Sequence, residues 1–287
     1  METNKQTGSL IPGSPLFLEK VNKSYWRISI SNPPFNLFDP EFLDGMEALV
    51  EMARSAEDLK IMVFQSGVED FFLAHFDVVR GKEILSRKTK TGVPPWFDVV
   101  EELYTLPVIS IGKIRGRARG VGIEFLAACD LRFGSKEKAI FGQFEVPIGT
   151  VPGGGSMEFL PLILGRSRAL EIIIGGQDFD ADVAELYGLL NRAIPDAELD
   201  DFVDKLAKRI SQFDKGIIAQ AKEMINKRSG NIPQMGLFTE SRSVFINTAA
   251  RPYRQSVGKL TRDWGIQSNR EFELDLGSYL DSIHAEL

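Results

Sequence analysis

Two glutamates stand in adjacent segments of this chain, each inside a glycine-bearing and otherwise apolar frame. Glu124 lies in Gly120-Val121-Gly122-Ile123-Glu124-Phe125-Leu126-Ala127-Ala128-Cys129-Asp130. Glu145 lies in Phe141-Gly142-Gln143-Phe144-Glu145-Val146-Pro147-Ile148-Gly149-Thr150-Val151-Pro152-Gly153-Gly154-Gly155. A carboxylate set in apolar sequence is paired, exposed on a loop, or retained for chemistry. Taken singly, each is most simply a helix cap or an ion-pair partner. Two in neighbouring segments can split the roles of acid and base at one pair of reacting carbons.

The backbone around them adds a second chemistry. Gly120-Val121-Gly122 follows an expected strand and opens a helix near Ile123. The first N–H groups of a helix have no internal partner and the helix dipole adds positive potential, so such an end can hold a developing oxyanion. A second tight segment, Phe71-Phe72-Leu73-Ala74-His75-Phe76-Asp77, follows another strand and can supply a second N–H. Two N–H groups on one carbonyl oxygen would stabilise an enolate while the glutamates move protons at the neighbouring carbons.

These segments need a scaffold, and the hydrophobic pattern supplies one. Strands are expected at residues 16–21 and 26–31, as a hairpin around Asn22-Lys23-Ser24, and at 61–64, 107–114, 130–133 and 189–194. Asp39 caps a helix that begins at Pro40 and presents Phe42, Leu43, Met46, Leu49, Val50 and Ala53 on one face. A further helix is expected over 96–104, and from Asp196 onward the pattern is almost wholly helical. Strand–helix alternation followed by helices alone predicts an α/β core with a helical C-terminal part. The expected division is a disordered tail over 1–15, a core over 16–200, and a helical assembly region over 201–287.

Composition excludes several classes. The chain has 287 residues, 43% hydrophobic and 26% charged, enough to bury a large core. A net charge of -6 argues against a general nucleic-acid binder, which needs a basic surface to neutralise phosphates. One cysteine forms no intrachain disulfide and fits a reducing compartment. The polar N-terminus has no apolar signal core, and no apolar run approaches the roughly 20 residues of a membrane helix. A cytoplasmic protein without a membrane partner is the expectation. Two histidines, His75 and His284, far apart, with one cysteine make neither a Ser-His-acid triad nor a metal-ligand cluster. The segment 116–122 lacks the glycine order of a dinucleotide fingerprint, and Val151-Pro152-Gly153-Gly154-Gly155-Ser156 has no Walker lysine.

Over residues 26–202 the chain resembles the crotonase superfamily, the enoyl-CoA hydratase/isomerase family. Three signatures occur in order: Leu73-Ala74-His75-Phe76-Asp77 for Ala-Gly-Ala-Asp, Gly120-Val121-Gly122-Ile123-Glu124-Phe125 through Asp130 for Gly-Gly-Gly-x-Glu-Leu, and Phe141-Gly142-Gln143-Phe144-Glu145 through Gly155 for Phe-Gly-x-Pro-Glu and its glycine-rich sequel. The resemblance implies an α/β, crotonase-like spiral of ββα turns with a helical C-terminal region. It implies Glu124 and Glu145 as catalytic carboxylates, the N–H groups of Phe76 and Val121 as the oxyanion hole, backbone near Ala74 against the adenine of coenzyme A, and Gly153 lining the pocket. Coenzyme A would enter as part of the substrate, with no separate cofactor and no metal. The implied activity is acyl-CoA thioester chemistry through an enolate, foremost hydration of a 2-enoyl-CoA in fatty acid metabolism. Double-bond isomerisation and a non-catalytic acyl-CoA-binding or scaffold role are the alternatives. The implied assembly is a homotrimer or a dimer of trimers.

The chain departs from the family pattern at defined places. His75 stands where glycine is usual and Phe76 where alanine is; the backbone N–H can serve regardless of side chain. Val121 replaces a glycine and should keep negative φ, since a β-branched residue avoids the left-handed region. Phe144 replaces a proline beside Glu145. The 32–36 loop lacks the basic residue often found there for coenzyme A phosphates, for which Arg80 and Lys82 are substitutes by position. His75 reads as a local hydrogen-bonding or packing residue, and Arg117 and Arg119 as a solvated or interface edge. Residues 251–287 do not match the usual family ending.

Overall fold

The computed structural model describes residues 8–89, 92–230 and 234–287. The strands are β1 (Ser9–Leu10), β2 (Leu16–Asn22), β3 (Tyr25–Ile30), β4 (Ile61–Ser66), β5 (Phe71–Leu73), β6 (Ile109–Ile114), β7 (Arg117–Arg119), β8 (Leu131–Ser135), β9 (Ile140–Gly142), β10 (Asp178–Asp180) and β11 (Arg192–Ile194). They form a 7-stranded sheet in the order β1-β2-β3-β4-β6-β8-β11 and a 4-stranded sheet in the order β10-β9-β7-β5. The β2–β3 hairpin is antiparallel, and from β3 to β11 every pairing in the large sheet is parallel. Both faces of such a sheet are covered, which is why β4 reads as a continuous apolar run.

Each turn of the chain gives one strand to the large sheet, one to the small sheet, and then helix. β4 and β5 precede helices Gly81–Leu85 and Pro95–Thr105, β6 and β7 precede Val121–Ala128, and β8 and β9 precede Ser156–Leu164 and Arg166–Gly175. This is the spiral of ββα turns that the three signatures imply. The capped helix also forms as its sequence dictates: in Pro40–Ser55 the Asp39 side chain accepts the Phe42 N–H, and Phe42, Leu43, Met46, Leu49, Val50 and Ala53 are all buried. The second strand of each turn is implied by the resemblance, but the hydrophobic pattern alone did not mark the small sheet. Its strands are three residues long, too short to show alternation; β5, β7 and β9 pair in parallel and β10 pairs antiparallel with β9, so neighbours rather than local pattern define them.

Two expected boundaries shift. Ser9 and Leu10 pair with Leu18 and Phe17, and Ile11 is buried, so order begins before residue 16; residues 1–7 lie outside the described part. The boundary expected after residue 200 falls inside helix Asp196–Ser211. That helix packs Leu199, Val203 and Ala207 against Tyr25, Ile61, Val63, Ile111 and Phe133 of the large sheet, and so belongs to the core.

Helices follow to the end, as the pattern predicts. The tail folds back over its own spiral: Val257, Phe272, Leu276, Leu280 and Ile283 make one buried cluster with Phe144, the residue that stands where the family has proline. Ile246 and Tyr253 remain exposed. No helix among the described residues is long and apolar enough to cross a membrane.

Candidate active site

The first glutamate is placed by a glycine. Gly120 follows β7 with φ 51° and ψ −116°, a conformation that disfavours any side chain, and helix Val121–Ala128 starts at the next residue. A Cβ on Gly120 would also stand 2.6 Å from Glu145 Oε1, so the position needs glycine twice over. A Cβ on Gly122 would meet Leu73 O at 2.4 Å, which shows how closely this helix end approaches β5.

Glu124 is 3% exposed, and its Oε1 accepts the N–H groups of Gly154 (2.8 Å) and Ser156 (3.3 Å). Trp96 Nε1 donates to Gly154 O at 2.9 Å and so holds that loop from the other side. Glu145 is 7% exposed, and its Oε2 accepts from Gln143 Nε2 at 2.8 Å. Gln143 Oε1 in turn accepts from Ser156 Oγ at 2.8 Å. Ser156 therefore serves both acids, Glu124 through its N–H and Glu145 through Gln143. The two carboxyls are the ends of one buried polar network, and a satisfied network of this kind fixes its members.

Both carboxyls sit above the usual carboxylate range. For Glu124 the chief cause is burial, reinforced by the charge of Glu145 and opposed by the Gly154 and Ser156 N–H groups. For Glu145 burial again dominates, opposed by the Gln143 hydrogen bond and by the positive charges of Arg254 and His75. Two buried carboxylates that face each other resist double ionisation, so the pair retains a proton to higher pH than either would alone.

One narrow cavity brings these groups together. Its wall includes Glu124, Glu145, Phe76, Val121 and Gly153, so five of the six residues singled out from sequence converge. Val121 is the first residue of its helix, and among the described non-glycine residues positive φ is confined to Asn36, Asp70 and Gln267. The N–H groups of Phe76 and Val121 have no hydrogen-bond partner among the described residues. Ala74 is the residue not brought in. It is fully buried against Phe35 and Phe71, and its N–H donates to Asn36 O at 3.0 Å.

The rest of the cavity wall had no signature. Trp96 closes it on one side, and helix Met235–Asn247 brings Arg242 and Phe245 over it. A Cβ on Gly153 would stand 2.9 Å from Phe245 Cβ, so this glycine admits the helix. Gln143 lies inside the Glu145 frame and Ser156 directly follows it, so an amide and a hydroxyl beside two acids were the available signal. Arg242 and Phe245 lie in an aromatic-rich tail whose helical pattern does not say which face meets the spiral.

Several basic residues serve differently from their sequence reading. Arg80 is committed to Glu41 (2.7 and 2.8 Å) and Glu83. Arg119 is 1% exposed, not a solvated edge: its Nε donates to Asp178 Oδ1 at 2.8 Å and its Nη groups reach the carbonyls of Glu273 and Leu274. Arg117 Nε donates to Leu274 O at 2.7 Å. Both arginines anchor the C-terminal tail. His75 is buried, as a packing and hydrogen-bonding residue should be, and its partner is Glu273.

Comparison with known proteins agrees with this fold. The family model described as "Enoyl-CoA hydratase/isomerase" matches residues 20–257. The chain is 27% identical over 218 residues to "Probable enoyl-CoA hydratase, mitochondrial" of Dictyostelium discoideum, covering 75% of this chain and 76% of that protein. It is 27% identical over 241 residues to the "Peroxisomal bifunctional enzyme" of Cavia porcellus, covering 84% of this chain and 31% of that longer protein. The crystal structure of "a putative enoyl-CoA hydratase from Streptomyces avermitilis" superposes with a TM-score of 0.88 at 36% identity, covering 95% of this chain and 99% of that one.

Proposed function

The chain belongs to the enoyl-CoA hydratase/isomerase family, and from that premise we propose that it hydrates a 2-enoyl-CoA, with Glu124 and Glu145 as the proton-moving pair and the N–H groups of Phe76 and Val121 as the oxyanion hole. The observation that carries this reading is the convergence in one cavity of two buried carboxyls and two backbone donors without partners. The substrate is an acyl-CoA thioester, coenzyme A is part of it, and no further cofactor takes part.

The chemistry follows from the site. The thioester carbonyl oxygen lies at the two N–H groups, which strengthen their hold as negative charge develops there. The ionised carboxyl of the pair takes a proton from water as its oxygen adds to C3. The C2=C3 electrons move onto the carbonyl oxygen as an enolate. Collapse of the enolate takes a proton at C2 from the protonated carboxyl, and proton exchange between the glutamates resets them. Their raised pKa values suit this division, because one member stays protonated where the other is ionised.

Isomerisation needs a single carboxylate as a shuttle. Two carboxyls buried at the ends of one Gln143–Ser156 network favour hydration. The test is the loss of conjugated thioester absorbance when crotonyl-CoA is added. Turnover that Glu124→Gln and Glu145→Gln each abolish supports the reading; full activity in both variants refutes it. Backbone near Ala74 as the adenine contact belongs to the same proposal, and so does a cytoplasmic location.

A homotrimer or dimer of trimers is the proposed assembly. Leu162, Leu170, Ile174 and Leu186 put large apolar side chains on the outer face of the third spiral turn, surface of the kind that association covers. Light scattering decides it: a mass near 32.0 kDa at micromolar concentration refutes the oligomer.

A further inference from the structure

The loop that carries the Phe76 N–H is held by the C-terminal tail. Phe38 N–H donates to His75 O and Asp77 N–H donates to Phe38 O, each at 2.9 Å, so the backbone is pinned on both sides of Phe76. The His75 ring is held at both nitrogens. Its Nδ1 lies 2.8 Å from Phe76 O, and its Nε2 lies 3.0 and 3.2 Å from the two carboxylate oxygens of Glu273. Both neighbours are acceptors, so both ring nitrogens carry protons and His75 is an imidazolium. His75 is 2% exposed and Glu273 0%, so this ion pair is sealed from water.

Glu273 and its neighbours extend the grip. Glu273 Oε1 accepts the Gln267 N–H at 2.7 Å. The Gln267 side chain donates to Asp77 Oδ1 (2.9 Å) and accepts the Val78 N–H (3.0 Å). Gln267 holds φ 61° to do so, uncommon for a residue with a side chain. Arg119 of β7 binds Glu273 O, which ties the same tail segment to the strand that leads into Gly120 and Val121. One segment of tail thus touches the carriers of both candidate oxyanion donors.

Three departures from the family frame then have one explanation. His75 binds Glu273, Phe144 packs into the tail cluster with Phe272, and the Phe76 ring meets Phe245 edge-on at 6.0 Å. Each of these side chains meets the helices that follow residue 234.

We infer that residues 267–273 are part of the reaction apparatus, with His75, Glu273 and Gln267 as positioning residues that set the Phe76 N–H toward the substrate carbonyl. The inference rests on the oxyanion reading above. A displaced donor loses much of its effect, because a shift of about 1 Å in a preorganised site can cost about a hundredfold in rate.

The test compares the unaltered protein with Glu273→Gln, and with the paired replacement His75→Leu plus Glu273→Leu. An apolar pair of similar volume can replace a buried ion pair without loss of stability, so the leucine pair separates folding from positioning. The probe is 4-dimethylaminocinnamoyl-CoA, whose absorption moves to longer wavelength when its carbonyl is polarised. The expected result is a red shift in the unaltered protein that is largely lost in both variants. With crotonyl-CoA, kcat should fall by about tenfold to a hundredfold while KM changes little, even where the leucine pair melts at the unaltered temperature. Equal red shifts and equal kcat in the unaltered protein and either folded variant overturn the inference alone. No red shift in the unaltered protein overturns the oxyanion reading and this inference with it.

Discussion

The two walls of the cavity are built on different principles. The inner wall comes from the spiral. Glu124 and Val121 sit at the start of a helix fixed by Gly120, and Glu145 follows β9, so short parallel strands place the chemistry directly. The outer wall comes from the tail. Arg242 and Phe245 close the cavity from helix Met235–Asn247, and Glu273 and Gln267 hold the Phe76 loop through long side chains. The inner wall is carried by short backbone segments, whereas the outer one is carried by side chains that reach in from helices. Chemistry tolerates little variation at the reacting atoms. The cover needs only to be apolar, complementary and well anchored, and many sequences meet that condition.

The sharpest break in this comparison is to damage the cover alone. Phe272 is fully buried at the centre of the tail cluster with Trp264 and Tyr279. Phe272→Ala should cost about 3–5 kcal/mol by cavity formation. Differential scanning calorimetry should show the loss, and proteolysis should cut after residue 250 before it cuts the spiral. Simultaneous digestion of both regions would mean that they are one cooperative unit.

Next comes damage to the inner wall. Glu124→Gln and Glu145→Gln should each lower kcat about a hundredfold or more, the scale of a lost acid or base. Stability should move the other way. A carboxyl whose pKa is higher in the folded state loses stabilising free energy as pH rises from the ordinary value of 4.5 toward the folded one. Each glutamine should therefore raise the neutral-pH melting temperature by about 2 °C or more, and the gain should vanish below about pH 4. Lower activity with a lower melting temperature at pH 7 would contradict the burial argument.

A smaller effect is expected where the walls meet the loop. A Cβ on Gly154 would stand 2.2 Å from Glu124 Oε2 and 3.2 Å from Trp96 Nε1. Gly154→Ala should push the carboxyl off its place and lower kcat about tenfold with little change in melting temperature. Unchanged kcat would show that the Glu124 position is less constrained than its contacts suggest.

The mildest test is the pH dependence of the anchor between the walls. Burial opposes the charge on His75, but the Glu273 charge and hydrogen bond outweigh it and raise its pKa above 6.5; the pKa of Glu273 is lowered below 4.5 despite burial. The histidine contribution is complete below its ordinary value and lost as pH rises through the folded one. The glutamate contribution is complete above its ordinary value and lost as pH falls through the folded one. The melting-temperature deficit of Glu273→Gln should therefore peak between these limits and shrink by about 2 °C on the alkaline side. A deficit that does not vary with pH would remove the ion pair from the account.

The same contrast explains what the sequence disclosed. The hairpin, the Asp39-capped helix and the buried strands announce themselves by period and capping, and both glutamates by their frames. The three-residue strands that carry the site do not, because parallel partners distant in the chain define them. Gln143 and Ser156 were in plain view beside the glutamates, but only coordinates show that one serine serves both acids. Nothing local marks Glu273; it is fully buried as the counter-charge of His75, which lies in a motif far upstream. Arg117 and Arg119 read as a solvated or interface edge, and nothing local shows that carbonyls of the chain's own tail will cover them.

The central claim is that this cavity adds water across an enoyl thioester. Incubation of the protein with crotonyl-CoA in oxygen-18 water, followed by mass spectrometry of the acyl product, tests it most directly. The account predicts a 3-hydroxyacyl-CoA carrying one heavy oxygen in its hydroxyl, formed by the unaltered protein and at no more than about a hundredth of that rate by Glu124→Gln or Glu145→Gln. A product with a moved double bond and no heavy oxygen, or labelled product at an undiminished rate from both variants, would contradict it.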